Sequence, residues 1–525
     1  MRLAAAALCL SAALLPAEER IDTDANQKIR QEALEHSQVM KHLHTLTDRY
    51  GPRLTGSPNY EAAARWAAQQ LAAWGLVNVR LEPWDFGHEG WSNVRAAGYF
   101  ISPITDNLVF EVLSWTPGTN GPARAAAVHM VPPEKPTMDE LTSWLDANKD
   151  RIRGRIVLYG KPVIVPVSFT AVNKRLDDET VRKRLAGGGP GGPMRPQPAK
   201  PEPGQLTPAR INEMVDAWLV ANHALVKVMD AGMAHGMIRA FQNRTYDVSK
   251  AVPTVVLRNE DFGRAARLLA DGEQLTMEFD IQNRSYPEGR TTWNVVAEIP
   301  GAGKADEVVM LGGHLDSWHS ATGATDNATG VSVMMEAVRI LQASGLKPRR
   351  TIRVALWSAE EQGLLGSKAY VKQHYGTFEE PKPGFDKLAG YFNLDSGTGR
   401  VRAASVFGPP EAAAVLQAAF DPFAGLGVLG ASATSSRREG GTDSTSFSAA
   451  GLPAIGLMQD PIEYFGQTWH TNLDTYERAI PDDLMKSSAV VAAGVWHLAN
   501  RDQLLPRFEK DTMPAPSAPP PPVTR

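Results

Sequence analysis

The chain has 525 residues, of which 43% are hydrophobic and 21% charged, a balance that can bury large cores in two or three domains. Its net charge of −4 lacks the basic surplus that a nucleic-acid or anionic-membrane partner requires. No nucleic-acid partner is therefore expected.

The N-terminus reads "MRLAAAALCLSAALLPAEE". A charged Arg2, an apolar run from Leu3 to Leu15, and Pro16–Ala17 have the shape of a secretory signal peptide, residues 1–17, cleaved after Ala17. The alternative is a buried N-terminal helix. The run is too short to span a bilayer, and no other run is longer, so no membrane anchor is expected. The one cysteine, Cys9, lies inside this run. The mature chain would be exported, to periplasm or medium, without disulfides.

Residues 24–47 read as helix. Gly51, Pro52 and Gly56 mark a loop, and Tyr60 to Trp74 repeat at helical spacing before Gly75. "VNVRLEPW" and "NLVFEVLSW" alternate like strands. Residues 24–107 form the first part of one domain. Over 108–286 the texture changes. "RIRGRIVLYGK" reads as a short buried strand, "MVDAWLVANHALVKVMDAGM" as an apolar helix ending at glycine, and "AVPTVVLRNEDFGRAARLLADGEQLTMEFDI" as strand, helix, strand. Residues 185–208 are too rich in Gly and Pro to pack and read as a disordered loop, and 506–525 as a disordered Pro-rich tail.

Residues 287–505 alternate strand and helix. "TTWNVVAEIPG", "EVVMLGG", "TIRVALWS", "LAGYFNLD" and "LPAIGLMQ" are strand-like, and "ATGVSVMMEAVRILQASG" is an amphipathic helix. Near-continuous apolar strands of this kind belong to a sheet buried on both faces. The expected fold is α/β, a mostly parallel mixed sheet flanked by helices.

Ligands of such sheets bind beyond the carboxyl ends of the strands. His314, Glu360, Glu361 and Asp395 follow strand ends directly, Tyr464 and His470 sit in the loop after another, and Asp326 precedes a helix. Any one of these is more often structural than metal-binding. Together, three carboxylates and two histidines (His314, Asp326, Glu361, Asp395 and His470) suit two zinc ions with one bridging carboxylate, Glu360 being the spare. Without cations the carboxylates would repel one another. Asp316 is placed to accept the second N–H of His314, an outer-shell role. His319 is a rival ligand that reads better as a loop residue, and the remaining histidines read as solvated or capping. Arg437 and Arg438 could bind a substrate carboxylate, but solvated surface arginines are the favoured reading.

The series "GGHLDS", "GATDNATG", "WSAEEQGLLGS", "NLDSGTG", "GGTDSTSF" and "WHTNLDT" resembles the motifs of the co-catalytic di-zinc exopeptidases, in their carboxypeptidase Q-like branch. The resemblance implies a zinc aminopeptidase-like fold interrupted by a β-rich protease-associated insert, here 108–286. It implies one zinc on His314 and Asp395, a second on Glu361 and His470, and Asp326 bridging, with a cis peptide at Asp326–Asn327. It also implies Glu360 as general base and Tyr464 as oxyanion donor. The function implied is a secreted zinc exopeptidase acting on dipeptides or short peptides. A single-zinc glutaminyl cyclase or a non-catalytic peptide-binding protein of the same fold are the alternatives. The end of the peptide attacked and a homodimeric state are left open. Trp469 stands where the family branch has another histidine.

Overall fold

The structure, a computed structural model, describes residues 19–170, 175–187 and 202–516. The expected signal peptide, most of the 185–208 loop and the end of the tail lie outside these residues. Residues 185 and 186 close the helix Asp178–Ala186.

Among the described residues the strands form two eight-stranded sheets. The first runs, in spatial order, Val77–Asp85, Thr291–Ile299, Arg350–Trp357, Lys304–His314, Leu388–Leu394, Ala454–Gln459, Val401–Phe407 and Ala431–Thr434. Its four central strands, Arg350–Trp357 through Ala454–Gln459, are mutually parallel. Antiparallel strands flank them on either side. The alternation within Lys304–His314 divides two cores. Val309 and Leu311 pack with helices Thr329–Ala343 and Pro481–Asn500, while Val308 and Met310 pack with helix Leu365–His374. A strand buried on both faces is apolar throughout, which is why "VVML" carries no polar residue.

The second sheet is built from residues 90–286 and interrupts the first between Val77–Asp85 and Thr291–Ile299. It begins earlier than 108, because Gly90–Ser102 pairs along its length with Thr276–Tyr286. The sequence "GWSNVRAAGYFIS" hides this strand behind glycines and a polar stretch. The lobe is itself α/β. Its parallel strands Ala123–Met130, Ile156–Tyr159, Val226–Asp230 and Thr254–Leu257 need crossovers, and helices Met138–Ile152 and Pro208–Ala221 supply two of them.

The apolar run 214–233 is not one helix. The helix stops at Ala221, His223 takes φ +56°, and Val226–Asp230 enters the sheet as a buried strand. Periodicity alone does not separate a short buried strand from buried helix. Ala123–Met130, Val401–Phe407 and Ala431–Thr434 are also strands that the sequence does not announce, being rich in Ala or Ser and so weak in strand signal. The start of the tail is packed rather than free. Phe508 meets Phe407 edge-on at 5.2 Å, Arg507 donates to the carbonyls of Phe385 and Leu388, and Met513 lies against the core of the first lobe.

Candidate metal centre

Every residue of the expected set reaches the carboxyl rim of the four parallel strands. His314 ends its strand, Asp395 follows Leu394, and the turn Ser358–Glu361 follows Trp357. Gly330 lets the helix carrying Asp326 approach its neighbour. A Cβ at Gly330 would stand 2.4 Å from Leu394 O, so a side chain there would push Asp326 away from Asp395. The Asp326–Asn327 peptide is cis, and Asn327 Nδ2 donates to Leu394 O at 2.9 Å.

His314 Nε2 lies 3.2 Å from Asp326 Oδ1 and 3.3 Å from Asp395 Oδ1. His470 Nε2 lies 3.1 Å from Asp326 Oδ2 and 2.9 Å from Glu361 Oε2. Two three-residue groups result, His314–Asp326–Asp395 and Asp326–Glu361–His470, with the offered atoms of each within 4.8 Å of one another. Asp326 belongs to both, turning one oxygen toward each histidine. His314 Nε2, Asp326 Oδ2 and Glu361 Oε1 are buried without an aligned hydrogen bond, a costly state for polar atoms unless a cation satisfies them. Atoms bonded to one zinc at about 2.0–2.1 Å and tetrahedral angles lie about 3.3 Å apart, close to the spacings seen here.

Electrostatics mark the same place. Burial pushes Glu361 up to about 7, although His470 pulls it down. Burial also pushes Glu360 well above the carboxylate range, with Asp395 and Glu361 adding repulsion. Burial lowers His470, and the Glu361 and Asp326 carboxylates more than offset this, raising it to about 9. Burial raises Asp326, but His314 and His470 outweigh it and hold Asp326 below the ordinary range. The Tyr464 hydroxyl donates to Asp395 Oδ1 at 3.4 Å, and burial raises its pKa well above the usual value, so it stays a neutral donor.

Asp316 differs from expectation in detail. The Nδ1 of His314 is held by the backbone carbonyl of Asp316 at 3.0 Å, and the carboxylate stands 3.7 Å away. That carboxylate instead accepts the backbone N–H groups of Glu360 and Glu361, at 3.2 and 3.3 Å. His319 is a loop anchor, its Nε2 bonded to Val112 O at 2.6 Å. Arg437 is not a solvated surface residue. It is buried, donating to Glu379 and to Ala449 O, while Arg438 is exposed. His42 is buried against Glu336 at 3.0 Å rather than solvated, because helix Val39–His44 packs on helix Thr329–Ala343.

Three supporting residues had no role in the sequence reading. Asp474 accepts from Thr325 N at 2.5 Å and from Asp326 N at 3.1 Å, and the motif "WHTNLDT" already contained it. Arg53, fully buried, donates to the carbonyls of Leu315, Thr322 and Gly323 at 2.7–2.8 Å. It pins both ends of the segment between His314 and Asp326. Thr55 accepts from Ala359 N. "GPRLTGS" read only as a loop because a buried arginine has no local sequence signal.

Aromatic rings surround His470. Trp469 stacks on it at 4.0 Å, and Phe241 of the second lobe meets it edge-on at 5.5 Å. Arg239 stands over Trp469 at 5.1 Å and donates to its carbonyl. The second lobe thus forms part of the wall of the site.

The sequence model of peptidase family M28 matches residues 294–495, which hold all of these candidates except the second-lobe and loop residues. The chain is 28% identical to carboxypeptidase Q of Mus musculus over 465 residues, covering 89% of this chain and 86% of that one. It is 28% identical to carboxypeptidase Q of Homo sapiens over 469 residues, with the same coverage. The crystal structure of a peptidase M28 precursor from Shewanella amazonensis SB2B superposes with TM-score 0.63 at 24% identity, covering 93% of this chain and 99% of that one. BSAP, a zinc aminopeptidase from Bacillus subtilis, gives TM-score 0.54 at 16% identity over 90% and 97%. With the family's model matching residues 294–495 and this likeness along most of its length, the chain carries a peptidase family M28 domain.

Proposed function

We propose that the chain is an exported exopeptidase that binds two zinc ions and hydrolyses dipeptides or short peptides. The M28 domain and the likeness to carboxypeptidase Q indicate a metallo-exopeptidase. His314 and Asp395 would hold one ion, Glu361 and His470 the other, and Asp326 would serve both. The observation that carries this reading is Asp326, one carboxylate serving two donor groups, with His314 Nε2, Asp326 Oδ2 and Glu361 Oε1 buried without a hydrogen-bond partner. The mixed N and O donors suit zinc. The second donor group also weighs against a single-zinc cyclase, and the presence of Glu360 against a non-catalytic binder.

Bound zinc would supply water activation and polarisation of the peptide carbonyl. Glu360 takes the proton of the attacking water and returns it to the leaving amine. Its burial raises its proton affinity, which suits that return. Asp316 holds the backbone beneath it. The neutral hydroxyl of Tyr464 donates to the carbonyl oxygen as negative charge develops there. The lobe of residues 90–286 is the protease-associated-like insert, closing the site with Phe241 and Arg239.

Zinc-loaded mature protein is expected to cleave free dipeptides and to stop on chelation. N-acetylated and C-amidated dipeptides then decide the end attacked. Loss on acetylation makes it an aminopeptidase, and loss on amidation a carboxypeptidase. Failure on all of them, or cleavage indifferent to chelator, would sink the reading. No helix among the described residues is long and apolar enough to cross a membrane. Export is tested by the intact mass of secreted protein, which should lack about the first 17 residues. A full-length mass would refute it.

A further inference from the structure

The loop 51–57, "GPRLTGS", touches three things at once. At one end it meets both crossings between the lobes. A Cβ at Gly90 would lie 1.9 Å, and one at Gly289 2.4 Å, from Gly56 O. Only glycine permits so close a backbone approach. In the middle, Arg53 pins the segment between His314 and Asp326. At Thr55 the loop meets the turn that carries Glu360.

That turn is unusual. Ala359 is held at φ +52°, a conformation that a residue with a side chain keeps only when its surroundings impose it. Three successive backbone N–H groups leave the turn toward acceptors. Ala359 N donates to Thr55 Oγ1 at 2.9 Å, and Glu360 N and Glu361 N donate to the two oxygens of Asp316. Thr55 is fully buried, so water does not readily replace it. If Thr55 is removed, Asp316 still holds the Glu360 and Glu361 amides. The Ser358–Ala359 peptide, whose N–H is Ala359 N, loses its acceptor, and the strained Ala359 is then free to relax, carrying Glu360 with it.

We propose that Thr55 is a positioning residue for Glu360, and that the loop 51–57 transmits the setting of the two lobes to the general base. The inference rests on the reading of Glu360 as that base. A displaced base costs rate without changing ground-state substrate binding.

The test is Thr55→Val, which keeps the shape and removes the acceptor, beside Thr55→Ser, which keeps the hydroxyl, and Thr55→Ala, which leaves room for a water should the valine variant not fold. The expected result for Thr55→Val is a fall in kcat of about 10- to 100-fold. KM should stay near wild type, with two zinc ions per chain. Thr55→Ser should restore most of the rate. In the metal-free protein, amide hydrogen exchange at Ala359 and Glu360 should quicken in Thr55→Val. Adding Thr55→Val to Glu360→Gln should cost little more, because both act through one group. An undiminished kcat, a fully multiplicative loss in the double variant, or loss of zinc in step with activity would each overturn the proposal. If Glu360→Gln alone stays active, the base assignment fails. If Glu360→Gln is inactive and Thr55→Val is normal, only this inference fails.

Discussion

Glu360→Gln is expected to lower kcat by about 10²–10⁴-fold, the range of a general base, while keeping two zinc ions per chain. The amide preserves size and the hydrogen bond of the Glu360 backbone to Asp316 but cannot accept and return a proton. Glu360 stands outside both donor groups, so metal content should not follow activity. Glu361→Gln should behave in the opposite way. Its carboxylate lies 2.9 Å from His470 Nε2 in the second group, so zinc stoichiometry should fall together with turnover. Plasma spectrometry beside steady-state kinetics separates the two. Neighbouring side chains leave a turn in different directions, which is how adjacent glutamates come to have different tasks. If Glu360→Gln loses metal while Glu361→Gln keeps both ions and only slows, the roles are exchanged.

Asp326→Ala is expected to abolish activity and to bring bound zinc below one ion per chain at concentrations that saturate the wild type. Both donor groups lose a member at once, which no other single substitution in the set does. The turn itself should survive, because Asp474 holds it through the backbone N–H groups of Thr325 and Asp326. A ligand stabilises a fold in proportion to RT ln(1 + [L]/Kd). The difference in Tm between zinc-loaded and chelated protein, large in the wild type, should therefore nearly vanish in Asp326→Ala. The metal-free variant should be less stable than metal-free wild type near neutral pH, since His314 and His470 both lose the carboxylate that pairs with them. Retention of two ions would remove Asp326 from its bridging place.

The first lobe was legible because its central strands are buried on both faces. "VVML" is apolar without interruption, "TIRVALW" and "GYFNL" are nearly so, broken by Thr351, Arg353 and Asn393, and the polar residues after their ends mark the rim. The second lobe was less so. Gly90–Ser102 has an exposed face and two glycines, and Val226–Asp230 is a strand whose apolar run continues that of the helix before it. Pairing with Thr276–Tyr286 and Ile156–Tyr159 decided both, and such partners are distant in the chain.

By itself the sequence named the side chains proposed to supply the chemistry. One His, Asp or Glu at a strand end says little, but several converging on one rim are costly without a counter-charge. The tertiary structure alone decided how those side chains are held. The Nδ1 of His314 goes to a carbonyl and not to the Asp316 carboxylate. That carboxylate, with Thr55, instead fixes the turn of Glu360, and Arg53 ties the ligand segment to the lobe junction. These contacts join residues that lie about 260 to 300 positions apart or end on backbone groups. A backbone N–H or C=O is the same in every residue, so no pattern of side chains announces which one will be used.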